Sequence, residues 1–162
     1  MRIGLVCPYS LTIPGGVQAQ VLGLARALRA QGHAARVLAP CDGPPPDAFV
    51  TPLGNSIPTA ANGSMAPLAP DLPAQLRVIR AANDEGFDVV NLHEPLGPGV
   101  CLTTLIVKPA PLVGTFHAAG VSGAYRSLRP VVRRLAARLD LRAAVSDDAE
   151  ALASRYLGGT YE

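Results

Sequence analysis

The sequence is short of cysteine and of charge and has no long apolar run, and each shortage excludes a class of protein. Its three cysteines, Cys7, Cys41 and Cys101, are odd in number, far apart and without a CxxC pair. That speaks against a disulfide framework and a zinc cage, and fits a reducing cytosol. Charged residues make up only 16% and leave a net charge of +2, too thin a balance for nucleic-acid binding through bulk electrostatics. No stretch approaches the ~18 apolar residues of a membrane span. The apolar run behind Met1 and Arg2, Ile3 to Val6, is too short for a signal-peptide core and is followed by Pro8, so it reads as a strand. There is no internal repeat, no low-complexity tract, no GxGxxG fingerprint and no GK[ST] of a P-loop. A soluble protein is expected, cytoplasmic, and at most peripheral at the inner face of the cytoplasmic membrane.

What is present suits one domain, since 162 residues that are 49% hydrophobic can bury a core of the commonest size. Ile3 to Cys7 reads as a strand buried on both faces. Val17, Val21, Leu24, Ala25 and Leu28 recur as the stripe of a helix that Gly32 ends, and Ala35 to Ala39 is a second strand. From Pro40 to Pro70 the chain is rich in Pro, Gly and Asn, which predicts irregular structure with one or two small strands around Phe49–Val50 and Ser56–Ile57. Asp71 caps a helix through about Glu85, with Leu72, Leu76 and Ile79 as its apolar stripe and Gly86 as its stop. Asp88 to Leu92, Gly99 to Ile106 and Leu112 to Phe116 read as strand, helix and strand. A helix opens at Pro130, Leu141 to Val145 is the next strand, and Ser146 caps a helix running to about Leu157. Such alternation predicts an α/β fold: a Rossmann-like, doubly wound, mainly parallel sheet with helices on both faces.

In an open α/β sheet the ligand sits beyond the carboxyl ends of the strands. The residues following each strand are therefore the informative ones: Pro8-Tyr9-Ser10 with Pro14-Gly15-Gly16-Val17-Gln18, then His93-Glu94-Pro95, His117 and Ser146-Asp147. Gly15 and Gly16 precede a helix whose free N–H groups suit a phosphate, although a plain strand-to-helix turn satisfies the same pattern. Tyr9 and Gln18 flank them with a ring and an amide. His117 emerges at the same edge, with His93 and Glu94 as neighbours in one crevice; Glu94 also fits a helix start. The helix from Pro130 sets Val132, Leu135 and Leu139 opposite Arg133, Arg134 and Arg138, with Arg126, Arg129 and Arg142 close by. That basic face suits an anionic membrane surface, or simply solvent.

At these residues the chain resembles the N-terminal domain of bacterial phosphatidylinositol mannosyltransferases, which are family 4 GT-B glycosyltransferases. Pro8-Tyr9-Ser10, Pro14-Gly15-Gly16-Val17-Gln18, Asn62-Gly63-Ser64, His93-Glu94-Pro95, Thr115-Phe116-His117 and Ala144-Val145-Ser146 follow in the family's order over nearly the whole chain. The chain departs from the pattern at Pro67, where an arginine is expected, and at Ala118-Ala119, where hydroxyl residues are common. The resemblance implies that residues 1–162 are the acceptor-side Rossmann-like half of a retaining enzyme, with the donor-binding C-terminal domain as the absent partner. It implies GDP-mannose as co-substrate, no metal, and an inositol lipid as acceptor. Gly15 and Gly16 would meet the donor diphosphate, and Tyr9, Gln18, Asn62 and Ser64 the acceptor. His117 would be the catalytic residue that contacts the transferred sugar. A related family 4 enzyme with a soluble acceptor, or a stand-alone nucleotide-binding module, fits most of the same residues.

Overall fold

The computed structural model describes residues 1–61, 64–118 and 126–162. Eight strands and five helices follow one another in these segments. They are β1 (Arg2–Val6), α1 (Gly16–Ala30), β2 (Ala34–Ala39), β3 (Val50–Pro52), β4 (Ile57–Ala61), β5 (Ser64–Leu68), α2 (Leu72–Glu85), β6 (Val89–His93), α3 (Val100–Val107), β7 (Leu112–Phe116), α4 (Arg129–Ala136), β8 (Leu141–Ala144) and α5 (Asp147–Leu157). Six strands form one sheet in the order β3-β2-β1-β6-β7-β8, and every neighbouring pair in it is parallel. With the β4–β5 hairpin set aside, this is the 3-2-1-4-5-6 order of a doubly wound sheet.

Alternation along the strands makes two cores. Ile3, Leu5, Cys7, Val37 and Ala39 face Val21 and Ala25 of α1. Val6, Leu38, Val90, Leu92, Leu112 and Phe116 face the other way, in a cluster completed by α2, α3, α4 and α5. The crossovers thus diverge between β1 and β6, and ligands of such sheets bind at this switch point.

Helix ends follow the sequence closely. Asp71 accepts a hydrogen bond from the Ala74 N–H at 3.3 Å, and Gly86 closes α2 in the left-handed conformation at φ 58°. Ser146 caps α5 through the Ala149 N–H, and a proline stands in the first turn of α4. Two expectations are corrected. The stretch from Pro40 to Pro70 holds the two expected small strands, β3 and β4, and also a third, β5, which pairs antiparallel with β4, because alternating Pro and Ala do not advertise a strand. In α2 the buried stripe is Ala74, Val78 and Ala82, while Leu72 and Leu76 are exposed; small side chains let α2 pack closely on α3.

Candidate functional site

The first strand, β6 and β7 are consecutive neighbours, with Val6 beside Leu92 and His93 beside Thr115. The segments leaving their carboxyl ends therefore start from one edge, at interstrand steps of about 5 Å. The Cys101 thiol, from the first turn of α3, reaches the carbonyls of His93 at 3.3 Å and Val6 at 3.6 Å, tying the two central strands to that helix.

Two imidazoles meet at this edge. His93 Nδ1 lies 2.9 Å from His117 Nε2, with the rings 5.1 Å apart and tilted by 35°. Burial lowers both pKa values. His93, 1% exposed, falls to about 3, with the charge of His117 as a second cause, and His117 falls to about 4. Both rings are therefore neutral near pH 7. Glu94 turns the chain at φ 54° and lays its Oε1 against the backbone N–H groups of His117, at 2.6 Å, and Ala118, at 2.5 Å. Burial raises its pKa, and these two hydrogen bonds oppose the rise. His93 and Glu94 were expected to line the crevice, but both are buried. They stand behind His117, which alone of the three is partly exposed.

The glycine turn is open. Gly15 precedes α1 in an extended conformation with no side-chain cap, and nothing lies within 4 Å of a Cβ placed on Gly16. The first turn of α1 thus has no side-chain cap, and free N–H groups at a helix start suit an anion. Gln18 is buried rather than projecting. Its Nε2 donates to the carbonyls of Ile13 at 3.2 Å and Ser10 at 3.4 Å, and its Oε1 would stand 2.3 Å from a Cβ on Gly15. The amide therefore holds the loop that delivers the glycines, and Gly15 leaves it room. Tyr9 is half-buried and pairs with Leu68 of the hairpin. Its pKa is pushed up to about 12 by burial and then by the charge of Glu94, so its phenol stays protonated. Ser64 opens β5, whereas Asn62 lies outside the described residues.

A polar cluster beside this turn was missed. Asp42 accepts from the Ser56 N–H at 2.6 Å and the Ser56 hydroxyl at 2.8 Å, while its own N–H donates to Thr12 Oγ1. Hydrogen bonding from Ser10 and Ser56 holds its carboxyl below the usual range. The sequence cue was an aspartate three residues beyond the second strand. Among the described residues no three His, Cys, Asp or Glu side chains gather as a metal requires.

The arginines of α4 divide. Arg138 donates to the terminal carbonyls of α3 at Leu105 and Ile106, and Arg129 to the Arg155 carbonyl in α5. Both side chains remain exposed, with part of each guanidinium on a helix-end carbonyl. Arg126, Arg133 and Arg134 are exposed. A groove of about 610 Å³ between α3 and α4 is lined by Ile106, Val131, Arg134 and Leu135 among others. No helix among the described residues is long and apolar enough to cross a membrane.

Residues 14–160 match Glycosyltransferase Family 4. The chain is 39% identical over 168 aligned residues to a phosphatidyl-myo-inositol mannosyltransferase from Propionibacterium freudenreichii subsp. shermanii, an alignment covering 98% of this chain and 44% of that protein. It is 41% identical to the protein of the same description from Mycobacterium leprae, over 91% of this chain and 40% of the relative. The chain thus spans less than half the length of these relatives. A sucrose-phosphate synthase from Thermosynechococcus elongatus superposes on 99% of the chain with a TM-score of 0.65 at 15% identity, covering 47% of that chain; this likeness concerns the fold.

Proposed function

The chain belongs to glycosyltransferase family 4, which its residues 14–160 match, and from that premise we propose that it is the acceptor-side half of a retaining GT-B mannosyltransferase. In this reading the donor is GDP-mannose, the acceptor is phosphatidylinositol or a related glycolipid, and a second, donor-binding domain completes the cleft. The observation that carries it is the shared edge: an uncapped helix start at Gly15 and Gly16 and, two strands away, a partly exposed neutral imidazole at His117. The naming of the relatives at about 40% identity supports the sugar and the lipid.

Retaining transfer develops charge on a leaving diphosphate and positive character on the sugar, so the site must stabilise the first and orient the acceptor hydroxyl. The N–H groups of α1 would receive the diphosphate, as helix starts do. Tyr9, Asn62 and Ser64 would border the acceptor, and Gln18 would act by fixing the loop between Ser10 and Ile13. An imidazole with its pKa at about 4 is a poor base at neutral pH, so His117 would orient the transferred sugar. The lipid would approach across Arg126, Arg133 and Arg134, with the protein peripheral to an anionic membrane face.

The test is an assay of the protein together with its second domain, using GDP-mannose and phosphatidylinositol, beside His117→Ala. Transfer should fall by on the order of 100-fold in the variant; undiminished transfer removes His117 from the mechanism. A soluble acceptor is the second reading, favoured by the hydrogen bonds of Arg129 and Arg138 to helix carbonyls. Flotation with anionic vesicles separates the two, because a protein that stays unbound at low salt takes a soluble acceptor.

A further inference from the structure

The histidine pair contains a tautomer problem with a physical solution. Both rings are uncharged near neutrality, so a single proton serves the contact between His93 Nδ1 and His117 Nε2, at 2.9 Å. Either His93 donates and His117 accepts, or the reverse. The far nitrogen of His93 decides between them. His93 Nε2 is buried with no hydrogen-bond partner. If His117 were the donor, His93 would have to carry its own proton on Nε2, leaving an N–H orphaned in the interior. If His93 donates, Nε2 is only an unfilled acceptor, the more tolerable of the two defects.

We propose that His93 is a positioning residue whose Nδ1–H donates to His117 Nε2, so that His117 carries its proton on Nδ1 and offers a hydrogen-bond donor, not a base, to its ligand. Glu94 supports the same arrangement from the backbone side, gripping the N–H groups of His117 and Ala118, so ring and main chain are fixed from adjacent residues of one turn. No hydrogen bond is made by His117 Nδ1 to the described residues. Its ligand is an oxygen acceptor, a hydroxyl or phosphoryl oxygen of the bound substrate; that identity rests on the glycosyl-transfer reading, whereas the tautomer does not. The arrangement holds a ring in one orientation and one protonation pattern through its second nitrogen, the way imidazoles are commonly set.

The experiment is long-range proton–nitrogen NMR of the protein labelled with nitrogen-15 at histidine, recorded at pH 7. The expected spectrum has a protonated, pyrrole-type Nδ1 and a bare, pyridine-type Nε2 at His117, with the reverse pattern absent. A pyrrole-type Nε2 at His117 overturns the inference. His93→Asn keeps an amide donor near the position of Nδ1 and should preserve the Nδ1–H form of His117. In His93→Phe, which keeps a ring but no donor, His117 should shift to predominantly Nε2–H. An unchanged tautomer in a folded Phe variant also overturns the inference, and if that variant fails to fold the wild-type spectrum still decides. Because no substrate is present, a wrong tautomer leaves the transfer reading standing, and an absence of sugar transfer leaves the tautomer standing.

Discussion

Two neutral histidines in a folded protein are a liability in acid, and the sign of their effect follows from where each state binds protons. His93 titrates near 6.5 when unfolded and at about 3 when folded, so below pH 6.5 the unfolded chain takes up a proton that the folded chain refuses. The stability contributed by the buried neutral ring is complete above pH 6.5 and is lost as the pH falls toward about 3. For His93 the slope is about 1.4 kcal/mol per pH unit once the unfolded ring is protonated. His117 acts in the same direction, and Glu94, with its raised pKa, in the opposite one. Urea unfolding at pH 7, 6 and 5 should therefore show His93→Asn losing less stability per pH unit than the parent, by about one proton's worth; equal slopes would mean that His93 titrates normally. His117 was legible at this scale because it directly follows a strand. Its contact with His93 was not, since it depends on the register that sets His93 beside Thr115, and a shift of one residue would turn the side chain to the other face.

Helix α2 shows the limit of pattern reading for whole elements. Leu72, Leu76 and Ile79 recur with helical spacing, but so do Ala74, Val78 and Ala82, and periodicity alone does not say which arc is inside. The interior arc is the one with small side chains, because α2 packs beside α3 over the same sheet face. This predicts an inversion of the usual hydrophobic ranking. Leu76→Gln, at a position 57% exposed, should change unfolding free energy by no more than about 0.5 kcal/mol. Val78→Ala, at a fully buried position, should cost about 2 kcal/mol. Denaturation midpoints check both, and a larger loss at Leu76 would mean that this face is covered in the folded protein. Caps and stops were readable from sequence because they are local chemistry, as Asp71, Gly86 and Ser146 show. A small strand near Ile57 was readable too, but β5 and its pairing with β4 were not, because Pro58 and Pro67 sit opposite one another in that pair, and a two-stranded ribbon tolerates proline where a central strand does not.

For the molecule as a whole, the decisive feature is a missing charge. A sugar-nucleotide diphosphate carries at least two negative charges, and its departure adds to them at the transition state. The described residues that follow β1, β6, β7 and β8 before the next helix or the end of the described segment, 7–15, 94–99, 117–118 and 145–146, contain no lysine or arginine. The start of α1 offers N–H groups and a dipole, worth about 0.3–1 kcal/mol for an exposed anion, far below what transfer requires. On the proposed reading the countercharge would come from outside these described residues, with the second domain as its source. The expected outcome is that the 162-residue chain binds GDP with a Kd weaker than about 1 mM and transfers no mannose, while the protein bearing both domains does transfer. Calorimetric titration with GDP and a labelled-mannose transfer assay on the chain alone check the two parts. Micromolar GDP binding or turnover by these 162 residues would show that the edge between Gly16 and His117 supplies its own countercharge, and the two-domain reading would then lose its physical basis.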